Sequence, residues 1–369
     1  EDGIRDFCLS RGLGDVYKRQ IKDYITFFKG STERIIELQR NDGSITWFNE
    51  GVFDAWNHLE SIMALNILDF KKEKNLGFEY LINSQLKDGS WFGQLGSTVE
   101  FDIDTGVFNG KESDAGSFIR DTNFSAYIAT ASWHDYLINK SKEDLLKLWP
   151  TISNAIDFVI KNQSLSGEIR WAARDEYISS DDALITGCCS IYKSLICAIN
   201  CANVLNINVG KWKISLEKLG SAIKNNPELF DRTWDSKQRF SMDWYYPILC
   251  GLISGKEAKE KLFDKWEVFV VDGIGCKCVK DQPWVTIAET AELAITLKKI
   301  GEDKKAKEML AYTNSWKDEN GAYWMGRQYK ENVFWPKERP PWTSAAVILA
   351  YDTIYNLSDG SKLFLNDSL

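Results

Sequence analysis

The sequence predicts an all-α fold, an (α/α)6 toroid in which six helical hairpins form a single domain. Three observations support this prediction. Apolar residues recur with the helical period in about twelve segments, and almost none alternates with the period of 2 that is typical of strands. Segments of outer and inner character follow each other along the chain. A short sequence pattern with a glutamine, a glycine and a tryptophan also recurs at several of the turns.

The predicted helices differ in how their polar residues are distributed. The segment 142–163 is amphipathic with one charged face, as expected for an outer helix. The segments 123–137 and 187–205 carry small residues nearly all round, which indicates close packing on every side and an inner position. The predicted helices cover 23–39, 55–69, 72–85, 121–138, 142–163, 183–205, 211–225, 243–254, 256–270, 284–299, 303–316 and 341–357.

The domain is predicted to span residues 21–360, because each hairpin must bury a face against its neighbours. Residues 1–20 fit nothing that follows and read as a translated sequencing-adapter artefact, so they are excluded from fold reasoning. On this interpretation, the lack of a visible signal peptide proves little. The segment 92–120 is the one long irregular insertion, and we expect it to overhang the barrel mouth as a lid.

Composition narrows the possible functions. A net charge of −8 and a pI near 5.1 argue against a nucleic-acid surface, which needs a basic stripe. No run of about 18 apolar residues appears, so we expect no membrane span. We expect a cytoplasmic protein, because its cysteines are interpreted as reduced core thiols. The 15 tryptophans exceed what a core needs and favour a pocket lined by flat rings. The oligomeric state cannot be derived from the sequence.

We expect neither a metal nor a cofactor. The chain has only two histidines, and its one short C-x-C pair is Cys276 and Cys278. Four of the other cysteines cluster in one helical stretch, where small thiols pack as core residues and are predicted to be reduced. They are Cys188, Cys189, Cys197 and Cys201.

The repeated phrase is clearest in EYLINSQLKDGSW, residues 79–91, with Gln85, Gly89 and Trp91. Looser copies lie in 34–47, 155–171 and 306–324, and in the last of these Asn314 takes the glutamine position. The glycine permits a left-handed turn and the tryptophan anchors the loop. We therefore expect these phrases to brace the outer shell and to carry no chemistry.

These phrases resemble the QW repeats of terpenoid cyclases and related prenyltransferase-like toroids. The resemblance covers about residues 21–357, and the chain is also similar to small bacterial prenyltransferase-like proteins through DAWNHLESIMAL and MDWYYPILCG. It implies the toroid fold and an isoprenoid substrate.

In such a toroid the inner helices are parallel, so their N-termini should surround one mouth. Polar and aromatic residues stand at these N-termini, and we predict an acid–base set and a substrate-lining set among them. The acid–base set is Asp54, His58, Glu289 and Glu292. The substrate-lining set is Asn57, Glu60, Asp121, Asn123, Asp243, Tyr245, Trp284 and Trp342.

Several of these residues also have a purely structural interpretation. An aspartate just before a helix, such as Asp121 or Asp243, caps free N–H groups and suits the helix dipole. Glu289 and Glu292 lie deeper in an apolar helix, where solvation does not explain both of them. His58 follows Asp54 by four residues, on the same helix face.

Three functions stay open. A buried acid among aromatic rings suits isoprenoid chemistry, because the acid starts a cation and the ring faces stabilise it. Two carboxylates beside stacking tryptophans also suit a carbohydrate-active enzyme of the glycosidase type. The third alternative is a toroid that binds a ligand without catalysis. We predict an enzyme with a small-molecule substrate, isoprenoid or sugar, and prefer the isoprenoid because of the resemblance.

Overall fold

The structure is a computed structural model, and it describes residues 23–49, 51–95, 97–102, 104–112, 119–173, 182–233 and 235–368. The predicted artefact at 1–20 lies outside these ranges and stays a prediction. The main helices of the described part are α1 (Lys29–Glu37), α2 (Ala55–Ile67), α3 (Lys71–Ser84), α4 (Thr122–Asn139), α5 (Lys142–Lys161), α6 (Ile185–Leu205), α7 (Gly210–Asn225), α8 (Ser241–Leu249), α9 (Gly255–Asp264), α10 (Trp266–Phe269), α11 (Ile287–Lys299), α12 (Asp303–Tyr312), α13 (Pro341–Tyr355) and α14 (Lys362–Leu365).

Six of these helices form an inner ring. In the order α2, α4, α6, α8, α11 and α13, each helix contacts the next, and α13 returns to contact α2. The outer helices α3, α5, α7, α9, α12 and α1 pack on successive members of that ring. The chain is therefore a helix-rich domain of the toroid type, and the count of six hairpins is our interpretation of these contacts.

The described residues also contain short strands, so the prediction of a purely all-α fold is incomplete. Five strands form one antiparallel sheet in chain order, and two more form a hairpin inside the segment predicted to be irregular. The sheet strands have only two or three residues each, too few for a period of 2 to be recognised. The strands are β1 (Ser97–Asp102), β2 (Val107–Glu112), β3 (Arg120–Asp121), β4 (Ala172–Ala173), β5 (Val270–Val271), β6 (Gly275–Lys277), β7 (Trp284–Thr286), β8 (Gly326–Gln328) and β9 (Val333–Phe334).

The turn between β1 and β2 is fastened to the segment before α13. The backbone N–H of Lys337 donates to the carbonyl of Gly106 at 2.7 Å. This contact places the hairpin turn beside the N-terminal end of an inner helix. Whether the hairpin moves as a lid stays a prediction.

The repeated phrases brace neighbouring outer helices. Nε2 of Gln85 donates to the carbonyl of Gly89 in its own turn, at 2.9 Å, and to the carbonyl of Thr151 in α5, at 2.9 Å. Gln39 makes the same pair of bonds to its own turn and to α3, and Gln163 makes them to its own turn and to α7. Each glutamine therefore ties one turn to the next outer helix.

Glycine is required in these turns for two reasons. Gly89 has a φ of +94°, and a Cβ added there would lie 2.1 Å from the carbonyl oxygen of Asn154. The fourth copy departs from the prediction, because Lys317 and not Asn314 stands four residues before Gly321. Its ammonium donates to the carbonyl of Phe27 at 3.0 Å, so a lysine replaces the glutamine as the brace.

Helix α6 is buried in the core. Of the described residues, it alone is long and apolar enough to cross a membrane by length and composition, and 72% of its most apolar stretch is buried inside the fold. Its four cysteines are free and buried, as expected for core thiols. Packing against α4 and α8 in the ring accounts for this composition.

Candidate active site

Two predicted aspartates lie at the N-termini of adjacent ring helices. Asp54 precedes α2 and accepts hydrogen bonds from the backbone N–H of Asn57 at 2.9 Å and from its side-chain amide at 2.6 Å. Asp121 precedes α4 and accepts from the backbone N–H of Phe124 at 2.9 Å. Both carboxylates therefore cap helices, and the ring brings both to the same mouth.

Two glutamates line a small axial cavity of about 30 Å³, which has room for about one or two water molecules. Glu60, from α2, accepts from Nε1 of Trp56 at 2.8 Å and from the hydroxyl of Tyr127 at 3.2 Å. Glu292, from α11, accepts from the hydroxyls of Tyr245 and Tyr246 of α8. Each glutamate is thus held by aromatic donors from its own or a neighbouring ring helix.

Burial raises the pKa of these carboxyl groups and keeps them protonated at higher pH than usual. Desolvation raises the pKa of Glu60 to about 7, and the charge of Asp54 adds to this shift. Desolvation raises the pKa of Glu292 to about 8, and the charge of Glu60 adds to that shift. The pKa of Asp121 is raised to about 7, again mainly by desolvation, with a further contribution from the charge of Asp54. Desolvation also raises the pKa of Asp54. These four carboxyl groups form one electrostatic cluster.

A pocket of about 220 Å³ opens at the mouth beside Asp121. Its lining includes the rings of Trp56 and Trp171 and the amide of Asn123. Asn123 is only 5% exposed, and its Oδ1 has no hydrogen-bond partner among the described residues. A buried amide oxygen without a partner is costly, so a ligand hydroxyl in this pocket would satisfy it.

Glu289 stands at the first turn of α11, close enough to Glu292 for its charge to raise the pKa of that group. One of its oxygens accepts a hydrogen bond from the hydroxyl of Thr286. The side chain is 9% exposed, so it is shielded but not enclosed. Negative charge is favoured at this position because the helix N-terminus carries partial positive charge.

His58 is a different case. Its Nδ1 accepts from the backbone N–H of Ile45 at 3.1 Å, and its Nε2 lies 3.0 Å from the carbonyl oxygen of Gly77, to which it donates. Burial lowers the pKa of the imidazole to about 4, so the ring is neutral. Neither nitrogen is left for a substrate. We therefore interpret His58 as a structural residue, and its place in the acid–base set stays a prediction.

Three predicted substrate-lining residues lie on the rim and do not join the cluster. Asp243 accepts from the hydroxyl of Thr186 at 2.6 Å and lines a separate cavity of about 750 Å³. Trp342 packs edge-on against Trp47, with ring centroids 5.3 Å apart. Trp284 lines an apolar cleft beside the sheet.

Sequence reasoning identified Tyr245 but missed the other three aromatic residues that hold the two axial glutamates, Trp56, Tyr127 and Tyr246. Trp56 precedes Glu60 by four residues, a spacing that places both on one face of α2 and that was available from the sequence. Tyr127 comes from α4, and Tyr246 stands beside the predicted Tyr245. Only the ring packing brings these hydroxyls to the glutamates.

Within the described ranges, no group of three or more His, Cys, Asp or Glu side chains is placed to hold a metal ion. Cys276 and Cys278, the C-x-C pair, have no third partner of this kind there.

Comparison with solved structures shows the fold. A glycosidase in its wild-type form superposes with a TM-score of 0.67 at 12% identity, over 92% of this chain and 99% of that one. A GH63 mannosylglycerate hydrolase from Thermus thermophilus, in complex with Tris and D-glycerate, gives 0.63 at 9% identity, over 87% and 99%. A D-mannose isomerase gives 0.61 at 14% identity, over 90% and 97%.

Comparison with curated sequences shows the family. No family model matches the chain. A relative from Mycolicibacterium hassiacum is 38% identical over 334 residues, which cover 90% of this chain and 88% of the relative. The helical ring, its carboxyl cluster and this relative together define an α/α-toroid enzyme. The chain belongs to the family of that relative, the MMP endo-(1,4)-3-O-methyl-alpha-D-mannosidase.

Family membership bears on the three functions left open above. The non-catalytic toroid is set aside, because the family is one of enzymes. None of the proteins named here is a prenyltransferase or a terpenoid cyclase, so the resemblance to those families gains no support beyond the toroid fold. The comparisons favour the carbohydrate alternative.

Proposed function

We propose that the chain is a glycoside hydrolase that cleaves internal α-(1,4) bonds in a mannan whose units carry 3-O-methyl groups. The observation that carries the proposal is the 38% identity to an enzyme of that description, over 90% of this chain. The carboxyl cluster at the ring mouth supplies chemistry of the required kind. Glycoside hydrolysis needs one protonated carboxyl group as acid and one carboxylate on the other side of the scissile bond.

Asp121 is our candidate for the general acid. Its pKa of about 7 leaves much of it protonated at neutral pH, as the donor to a leaving-group oxygen must be. It lines the mouth pocket, and the N–H of Phe124 fixes one of its oxygens. A sugar ring in this pocket would lie against the indole of Trp56, with a hydroxyl within reach of Asn123.

Glu289 is our candidate for the partner carboxylate. It stands at the start of α11, whereas Asp121 stands at the start of α4, so the two approach the mouth from different ring helices. The hydroxyl of Thr286 donates to one of its oxygens and so orients it. In this role it would accept a proton from the attacking water or attack the sugar carbon itself.

The remaining predicted residues support this pair. Asp54 and Asn57 hold the start of α2 beside Asp121. Glu60 and Glu292, held by aromatic donors around the axial cavity, keep the floor of the site acidic. We further interpret the ring as six hairpins and place the reaction in the cytoplasm.

The test is hydrolysis of a defined 3-O-methylated α-(1,4)-linked mannan oligosaccharide, followed by mass spectrometry of the products. Internal cleavage gives two shorter oligosaccharides from the first turnover, whereas an enzyme acting from the end releases single sugars. The proposal is overturned if the purified protein leaves this substrate intact, and conversion of a prenyl diphosphate or a polyprene would support the isoprenoid alternative instead. The double variant Asp121→Asn, Glu289→Gln is the inactive control.

A further inference from the structure

An apolar cleft, which we call the rim cleft, lies beside the sheet and has a volume of about 510 Å³. Its lining contains two tryptophans, a methionine and two prolines, and the polar side chains in that lining are two glutamines. The lining residues are Gln282, Pro283, Trp284, Met325, Gln328, Trp335 and Pro336.

The rim cleft adjoins the catalytic mouth through the backbone. Strand β7, which carries Trp284, leads directly into α11 and so to Glu289. The carbonyl of Met325 accepts from the N–H of Ile287 at the start of α11, and the N–H of Met325 donates to the carbonyl of Glu338 just before α13. The cleft therefore lies between the mouth ends of two ring helices.

The two indoles of the cleft are held in place before any ligand arrives. Nε1 of Trp284 donates to the carbonyl of Trp335 at 2.6 Å, so its one polar group is already satisfied. A Cβ added at Gly326 would lie 2.4 Å from Nε1 of Trp284, and one added at Gly106 would lie 2.3 Å from the ring of Trp335. Glycine at both positions lets the rings lie against the backbone. What remains for a ligand is their apolar surface.

We propose that the rim cleft binds 3-O-methylated mannose units next to the bond that is cleaved and selects them over unmethylated ones. This inference rests on the proposed function. A methyl ether presents an apolar group where a hydroxyl would donate a hydrogen bond, so a site that recognises it needs apolar contacts. Trp284, Met325 and Trp335 supply such contacts, and Gln282 and Gln328 can bond the remaining hydroxyls.

The size of the effect follows from the chemistry. One methyl group in an apolar pocket discriminates between substrates by about 10- to 200-fold. We expect the wild-type enzyme to prefer the methylated oligosaccharide within that range of kcat/KM, measured against the unmethylated α-(1,4)-mannan oligosaccharide of equal length.

The decisive variant is Met325→Gln, which keeps the side-chain length and makes the cleft polar. Its preference for the methylated substrate, the ratio of the two kcat/KM values, should fall by about tenfold. Val333→Gln is the matched control, because Val333 is 47% exposed on the neighbouring strand β9 and lies outside the cleft lining. That variant should keep the wild-type preference.

A second pair of variants distinguishes the contribution of the aromatic ring of Trp284 to substrate selection from its contribution to the fold. Trp284→Phe retains an aromatic face and should retain most of the preference, whereas Trp284→Ala should lose it. Equal losses on both substrates in Met325→Gln and Trp284→Ala, with the ratio unchanged, would overturn the inference and leave the proposed function standing. Absence of activity on both substrates in the wild-type enzyme would refute the proposed function itself.

Discussion

The hydroxyl of Tyr246 lies 2.6 Å from Oε1 of Glu292, although 46 positions separate the two residues along the chain. The bond joins α8 to α11, two neighbours in the ring. It holds the most strongly shifted of the axial glutamates, whose pKa is raised to about 8 by desolvation and by the charge of Glu60, while the tyrosine hydroxyls lower it.

This raised pKa makes stability depend on pH. The ordinary pKa of a glutamate is 4.5, and that of Glu292 in the folded state is about 8. At a pH between these two values, the folded state holds the Glu292 proton more tightly than the unfolded state does. The stability that this group contributes is thus complete below about pH 4.5 and is lost as the pH rises through about 8. Each unit of pKa corresponds to about 1.4 kcal/mol.

Glu292→Gln should remove this dependence, so its free energy of unfolding should fall less than that of the wild type between pH 5 and pH 8. Urea unfolding at the two pH values measures the difference. Glu331→Gln, at an exposed glutamate, is the control and should follow the wild type. Parallel behaviour of Glu292→Gln and the wild type would contradict the assignment of a protonated Glu292.

Asp121→Asn should lower kcat by about 10²- to 10⁴-fold, because the amide cannot protonate the leaving oxygen. The loss should be much smaller on an aryl glycoside with an acidic phenol as leaving group, which departs without protonation. The loss of kcat on each of the two substrates is measured, and the difference between the two losses reports the role of Asp121 as a general acid. A similar loss on both would contradict the role of general acid. No loss on either would show that Asp121 only caps α4, because asparagine caps a helix about as well as aspartate.

Glu289→Gln should abolish turnover on both kinds of substrate, since a good leaving group does not replace a base or a nucleophile. The matched change Glu302→Gln, in the residue before α12, should leave turnover intact. Steady-state rates at neutral pH test this assignment. Unchanged activity of Glu289→Gln would show that Glu289 is not the partner carboxylate.

His58→Ala should destabilise the fold by about 1–3 kcal/mol, because it leaves the N–H of Ile45 and the carbonyl of Gly77 without their partner. The folded fraction should keep the shape of the wild-type pH–rate profile. Thermal unfolding and the profile are measured on the same preparation. Loss of one limb of the profile would restore His58 to the acid–base set.

Gln85→Ala should cost about 1–3 kcal/mol, since each of its two hydrogen bonds contributes about 0.5–1.5 kcal/mol. Denaturant unfolding checks this value. The exposed Gln238 provides the control substitution to alanine, which should change stability little. Equal effects of the two changes would mean that the brace between α3 and α5 contributes nothing.

The sequence predicted most of the helices and a smaller part of the site. Periodicity located the twelve predicted segments because α-helices bury a face or a whole surface at a period of 3.6. It also identified Asp54 and Asp121 as residues that precede ring helices. It missed the sheet of β5 to β9, whose two- and three-residue strands are formed by pairing between distant segments and leave no local pattern.

The sequence by itself determined the helices, their outer or inner character and the glycine turns that brace them, because these depend on neighbouring residues. Only the tertiary structure decided which polar residues face the mouth. His58 and Glu60 are two positions apart on α2, about 200° around the helix, so one meets α3 and the other meets the axis. An inner helix is buried on every side, and its composition does not tell these sides apart.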